Sequence, residues 1–357
     1  MSFELIKSDV NINFIGHRRL TFVITGVLVC ICLGAIISRG LVLGIDFAGG
    51  LLIQVRFVGE NDPKRIREAL IAADLPASNV QSFGGKDDHE YLISLQVNQE
   101  LEKSMTAEIM LLSQTVTDTL IRSFGADQIE VRRVEMVGPR VGDDLRQSAI
   151  SALFYSLLMI IIYISGRFEQ KWGSSVIFVG ALLGVIYPVS LFGVGTVYLI
   201  GLALLVTLAL CYILKFEYAL GAILALLHDV IVTVGLFAIL DKEITLSFVA
   251  AILTIVGYSI NDTIIIYDRI REQIQKSKKG DYAVTINRGI NETLSRTILT
   301  SGTTLMVIVA LYFLGGPGNQ DFALALLIGI SIGTFSSIAI SAPTLLMWTK
   351  KTALKAG

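Results

Sequence analysis

Ser247-Phe-Val-Ala-Ala-Ile-Leu-Thr-Ile-Val-Gly-Tyr-Ser-Ile-Asn-Asp262-Thr-Ile-Ile-Ile-Tyr267 is apolar and long enough to cross a bilayer, yet it carries a carboxylate at Asp262. A charged Asp in mid-span costs roughly 2.5–3.5 kcal/mol on insertion scales, so an intramembrane carboxylate points to ion or proton handling. The run ends in Asp268-Arg269-Ile270-Arg271-Glu272, which returns the chain to water.

Working outward, the 357 residues are 53% hydrophobic and only 17% charged, with a mean hydropathy of +0.69. Soluble domains carry charge on nearer a quarter of their residues, so the composition is that of an integral membrane protein. The net charge of −1 implies no nucleic-acid partner; in a membrane protein the placement of Lys and Arg around the spans carries the information. Cys30, Cys32 and Cys211 lie inside apolar runs and read as small hydrophobes. His17, His89 and His228 are far apart, and His89 sits in a polar turn. No metal-spaced cluster, cofactor loop or catalytic triad is defined, so neither metal, cofactor nor enzymatic activity is expected.

Apolar runs at 20–38, 147–165, 174–193, 196–214, 218–240, 245–267, 297–314 and 322–348 predict eight spans. Phe192-Gly193-Val194-Gly195-Thr196 reads as a tight turn between two of them; a single bent helix or re-entrant hairpin kinked at Pro188 is the alternative. The first run follows Lys7, Arg18 and Arg19, is too long for a signal-peptide core, and reads as an uncleaved anchor. With eight spans those residues, Arg167, Lys171, Lys215, Arg269 through Lys279, Arg288, Lys350, Lys351 and Lys355 all fall on one side, so both termini are expected in the cytoplasm. The expected organisation is 1–38 as cytoplasmic N-terminus and first span, 39–146 outside, 147–348 as helix bundle with a hairpin at about 174–214, and 349–357 as cytoplasmic tail.

The outer segment alternates short strands with amphipathic helices. Ile53, Val55 and Phe57 alternate with polar residues in a first strand. Asp62-Pro63 then opens a helix with Ile66, Ala69, Leu70 and Ala73 on one face. A strand at Asn79 to Phe83 turns through Gly84 to Asp88 into another bearing Ile93, Leu95 and Val97. A longer helix follows, striped by Met105, Ile109, Leu112, Val116 and Leu120, and then a strand over Gln128 to Val137 whose alternation slips at Arg132-Arg133, the mark of a bulge. The order β-α-β-β-α-β predicts one α+β ferredoxin-like extracytoplasmic domain on a polytopic α-helical membrane protein.

Two polar groups interrupt the spans. His228-Asp229 lies in Leu226-Leu227-His228-Asp229-Val230 and reads either as interhelical glue or as a proton relay shared with Asp262. Around Asp262 stand Ser259, Asn261 and Thr263, and Arg296 opens the next span at comparable depth. Desolvation and a nearby guanidinium push a carboxylate's proton affinity in opposite directions, so an Asp262–Arg296 distance that changes with conformation would act as a pump; a static pair with a snorkelling Arg296 is the alternative. Thr297, Thr300, Ser301, Thr303 and Thr304 either line a hydrated path or permit close packing. Gly44-Ile45-Asp46-Phe47-Ala48-Gly49-Gly50 lacks a phosphate-loop pattern and reads as a backbone junction.

Four stretches together resemble one family: Gly44 to Gly50 with Asp46, Phe47, Gly49 and Gly50; Val137-Gly138-Pro139-Arg140-Val141-Gly142; Ala219 to Val230, ending in Leu-His-Asp-Val; and Gly257 to Glu272. In this order they are similar to the SecF subunits of bacterial protein translocase, relatives of the RND transporters. The resemblance implies an RND-like bundle in the cell inner membrane. It also implies partnership with SecD, the SecYEG channel and YajC, action on unfolded preprotein, contact with membrane lipid, and use of the proton-motive force late in export. It makes Asp262 and Arg296 the proton-coupling pair, with His228, Asp229 and Asn261 as further candidates. The family usually has six spans; here Gly166-Arg167-Phe168-Glu169 is followed by about forty extra residues before Lys215-Phe216-Glu217-Tyr218, which puts the packing with SecD in question. An RND-type small-molecule exporter and a non-energised assembly factor are the competing functions.

Overall fold

The computed structural model describes residues 10–73, 75, 78–83, 88–95, 105–169, 172–190, 196–276 and 281–346. Helix α1 (Arg18–Arg39) leads through the single-turn α2 (Ile45–Ala48) into an α+β domain. That domain comprises β1 (Gly50–Phe57), α3 (Pro63–Ala72), β2 (Ser78–Phe83), β3 (Glu90–Leu95), α4 (Met105–Phe124) and β4 (Ile129–Val137). The chain then continues as α5 (Pro139–Glu169), α6 (Trp172–Ser190), α7 (Thr196–Ile213), α8 (Glu217–Ile239), α9 (Leu246–Lys276), α10 (Tyr282–Leu314) and α11 (Pro317–Ser336). The last helix runs on through a π-turn at Ser337–Ser341 to Leu346.

The sheet is antiparallel with strand order β2-β3-β1-β4. Leu51, Ile53, Val55 and Phe57 of β1, Tyr91, Ile93 and Leu95 of β3, Ile66 and Leu70 of α3, and Val116 and Leu120 of α4 are all buried in one core. Ala73, expected on the buried stripe of α3, is instead the exposed capping residue just after its C-terminus. The predicted helix start is present, with Asp62 Oδ1 accepting from the Lys64 N–H at 2.9 Å. In β4 the register steps from Gln54↔Arg133 to Val55↔Val131, so Arg132 is the bulged residue where the alternation slips. Val97 and the turn at 84–87 lie outside the described residues.

Among the described residues six helices are long and apolar enough to cross a membrane: α1, α5, α8, α9, α10 and the final helix from Gly318 to Leu346. α6 and α7, 19 and 18 residues long, have shorter purely apolar portions, Val176–Val189 and Gly201–Ile213. The proposed turn between them falls almost wholly on residues outside those described, Thr196 alone belonging to α7. Phe178 of α6 is fully buried and lies 6.1 Å, ring to ring, from Phe216 at the start of α8, so the hairpin packs on the bundle.

Several helices extend beyond their hydropathic limits. α5 starts at Pro139 rather than 147, α9 continues to Lys276 and α10 begins at Tyr282. Polar first and last turns such as Arg140 to Arg146 score as non-membrane, yet their backbone hydrogen bonds continue the same helix. α8 is the most enclosed of the described spans, with α9 and the final helix next and equal; α1 leaves most of its apolar surface free, as a lipid-facing helix does.

Candidate functional site

Asp262 is fully buried where α9, α10 and α11 meet. One helical turn separates it from Ser259, and Ser259 in turn faces α8. The Ser301 hydroxyl on α10 donates to Asp262 Oδ2 at 3.3 Å and lies 2.7 Å from the Thr334 hydroxyl of α11. Asp262 Oδ1 has no hydrogen-bond partner, and neither does the buried Thr297 Oγ1 on α10. A carboxylate oxygen left unpaired in a buried site is expensive, which sets Asp262 apart from an ordinary structural carboxylate.

Asp229 is equally buried but fully tied. Its Oδ2 accepts from the hydroxyls of Ser259 on α9 at 2.7 Å and Ser336 on α11 at 2.9 Å, while Oδ1 lies 3.1 Å from His228 Nδ1. Three helices are thereby pinned to one carboxylate. No hydrogen bond among the described residues joins this cluster to Asp262, and its own bonds are those of interhelical glue. His228 Nε2 alone of that cluster lacks a partner.

Two further expectations need correction. Asn261 is exposed, because successive residues of a helix point about 100° apart and the burial of Asp262 turns its neighbour away. Arg296 forms no ion pair with Asp262, and its side chain is exposed. Thr300 and Thr303 bond back to carbonyls of their own helix. Thr304 does the same while accepting from Tyr258 at 3.2 Å, so of these α10 hydroxyls Ser301 is the one bonded to Asp262.

The glycine-rich segment and the start of α5 meet as a junction. Gly44 N–H donates to Ile244 O at 3.0 Å and Ile244 N–H to Val42 O at 2.8 Å, joining this segment to the α8–α9 loop. A Cβ at Gly49, whose φ is +68°, would lie 2.7 Å from Pro139 Cα, and one at Gly142 would lie 3.0 Å from Gly49 N, so backbones pack directly. Phe47 is buried, and Gly50 also has positive φ (139°). Asp46 Oδ2 accepts from the Leu246 N–H at 2.9 Å and Thr245 Oγ1 from the Phe248 N–H at 3.3 Å, so two side chains satisfy the first turn of α9. Replacing Asp46 with Ala is expected to lower stability by about 1 kcal/mol, the usual effect of a lost cap, read as a lower melting temperature of the purified protein.

In the same loop, half-buried Glu243 Oε1 accepts from Asn79 Nδ2 at 3.0 Å, Ser94 Oγ at 3.1 Å and Gln81 Nε2 at 3.4 Å. Burial pushes its pKa above the ordinary carboxylate value; the Ser94 and Asn79 hydrogen bonds pull it back, and the Asp321 and Asp46 charges add to the rise. The sequence reading missed Glu243, which there is only one charge in a short loop, and missed Thr334 and Ser336, whose signal was a polar interruption of the last apolar run.

The arrangement defines a polytopic helical membrane protein with a buried, incompletely satisfied carboxylate in its bundle and one small four-stranded domain. Residues 116–198 and 189–351 match the family described as "Protein export membrane protein SecD/SecF, C-terminal", and 34–59 match the "SecD/SecF GG Motif". The chain is 39% identical over 344 residues to protein translocase subunit SecF of Magnetococcus marinus, covering 96% of this chain and 94% of that one. It is 37% identical to the corresponding subunit of Calditerrivibrio nitroreducens, over 95% and 94%. The crystal structure of SecDF, a translocon-associated membrane protein from Thermus thermophilus, superposes with a TM-score of 0.73 at 30% identity; the match covers 97% of this chain but only 40% of that longer one. The chain therefore belongs to the SecD/SecF family, on its SecF side: a multi-pass, non-enzymatic component of the cytoplasmic membrane that serves protein export by the Sec translocase.

Proposed function

We propose that this chain, working with SecD beside the SecYEG channel and with YajC as an accessory, uses proton entry at Asp262 to drive late steps of preprotein export. The supporting observation is the contrast between two buried carboxylates: Asp229 has its oxygens held from three helices, whereas Asp262 keeps one oxygen without a partner. Arg296 lies on the same helix as Ser301, which bonds Asp262, so a shift of α10 that brings the guanidinium closer would favour the charged carboxylate.

Residues 39–146 form a ferredoxin-like domain on the extracytoplasmic side, both termini face the cytoplasm, and α6 and α7 cross as an added hairpin, giving eight spans in the inner membrane. The basic residues gathered on one set of loops support this orientation. The family signatures at Gly44 to Gly50 and Gly138 to Gly142 serve as the backbone junction under that domain.

The test is completion of preprotein export in inverted vesicles with and without this chain. The gradient is expected to accelerate completion only when the chain is present, and equal protonophore sensitivity in both preparations would overturn the reading. Within it, Arg296→Ala should reduce the gradient-driven rate by roughly tenfold, the usual scale of a coupling free energy, with Arg296→Lys retaining part. An Arg296→Ala rate equal to wild type would remove Arg296 from the mechanism.

A further inference from the structure

The four-stranded sheet has two faces. One is filled by the domain's own helices. The other carries Asn79, Gln81 and Ser94, with Asn79 opposite Ser94 in the β2–β3 register, and rests on the outer end of the bundle. Between this face and the loops lies a cavity of about 260 Å³, bordered by Gln54, Gln81, Asp46, Glu243 and Asp321. The two bodies thus meet, beside the backbone junction, across a space lined largely by polar side chains.

Glu243 crosses that space. It belongs to the α8–α9 loop, three residues before the helix that carries Asp262. One of its carboxylate oxygens collects all three donors from the sheet. Its neighbour Lys242 is held separately, with Nζ 2.8 Å from Asp321 Oδ1 at the start of α11. The opposite end of the same short loop is bound to Asp46 through Leu246 N–H. Displacement of α9 along its axis therefore pulls on the sheet through Glu243, whereas the covalent links at α2 and α5 pass through α1 and α5.

We propose that Glu243 is a positioning residue that couples the outer domain to the Asp262 helix, so that movement of α9 is delivered to the domain through the Asn79–Gln81–Ser94 face. This rests on the proton-coupled reading of Asp262 given above. Hydrogen bonds to a charged acceptor are the stronger kind, and three of them on one oxygen make a directional, breakable tie rather than a greasy interface.

The test uses the full chain co-assembled with SecD, carrying spin labels at one exposed site of the outer domain and one on the exposed face of α10, with Glu243→Ala and Glu243→Gln compared. Glu243→Ala is expected to broaden the interlabel distance distribution and to lower the gradient-driven completion rate by roughly tenfold, the equivalent of one or two buried charged hydrogen bonds, while ATP-driven initiation and SecD assembly stay at wild-type level. Glu243→Gln, whose amide oxygen still accepts, is expected to restore most of both readouts. Unchanged distances in Glu243→Ala, or a loss of initiation and assembly in step with completion, would overturn the proposal. Should Asp262→Asn leave the gradient's contribution intact, the proton reading fails on its own, while the distance measurement still decides whether Glu243 ties the two bodies.

Discussion

Asp262→Asn is expected to abolish the gradient's contribution to preprotein completion while leaving ATP-driven initiation and assembly with SecD at wild-type level. Asparagine matches the carboxylate in shape, and its amide oxygen still accepts from the Ser301 hydroxyl that lies 3.3 Å from Asp262 Oδ2. What disappears is the capacity to take up and release a proton in the bundle. A charge moving down the membrane potential delivers about 2.3 kcal/mol per 100 mV, which biases a two-state element by about fiftyfold, and a neutral side chain at this position forfeits that bias. Asp262→Glu, which keeps the ionisable group but lengthens it into the space beside Thr297, should retain a fraction of the gradient response. The measurement is completion of export in inverted vesicles with and without a protonophore. An Asp262→Asn preparation that remains fully gradient-sensitive would make this carboxylate a structural element and return the chain to the scaffold reading.

The carboxylate that matters for this experiment was legible in the sequence because membrane composition makes any charge conspicuous: Asp262 stands in a run of apolar residues long enough to span. The β-α-β-β-α-β order was equally legible, since Ile53, Val55 and Phe57 alternate and Asp62-Pro63 announces a helix start. Even the bulge at Arg132 left a trace in the broken alternation. Hydropathy could not set the helix ends, because amphipathic turns beyond the bilayer continue the same hydrogen-bonded helix, as at Arg269 to Lys276. There Arg269 pairs with Glu292 of α10 at 2.5 Å and with Glu272 of its own helix. Nor could proximity along the chain tell Asn261 from Asp262, which the helix turns to different sides, or show that Asp46 reaches the first turn of α9 exactly 200 positions later in no visible pattern. Contacts of that kind, like the one between Glu243 and the sheet, exist only once the backbone junction at Gly49 and Pro139 has brought the segments together.

Asp229 supplies the opposite experiment. Its carboxylate holds Ser259, Ser336 and His228 at once, and Thr233 Oγ1 bonds back to its carbonyl at 2.7 Å. Removing the side chain in Asp229→Ala leaves the Ser259 hydroxyl and His228 Nδ1 without their partner, while the Ser336 hydroxyl keeps only the Gly333 carbonyl at 3.1 Å. Interhelical hydrogen bonds in membranes average about 0.6 kcal/mol each, so three lost bonds amount to about 2 kcal/mol before the cavity is counted. The variant should therefore unfold at markedly lower temperature in detergent and accumulate poorly, whereas Asp262→Asn should melt like wild type. Asp229→Asn, retaining an oxygen for the two serines, should fall between them. The two aspartates lie in one bundle, both fully buried, and differ chiefly in how completely they are satisfied; a thermal-melting series in which Asp262→Asn and Asp229→Ala lose equal stability would erase that distinction, and with it the reason for assigning proton coupling to Asp262 rather than to Asp229.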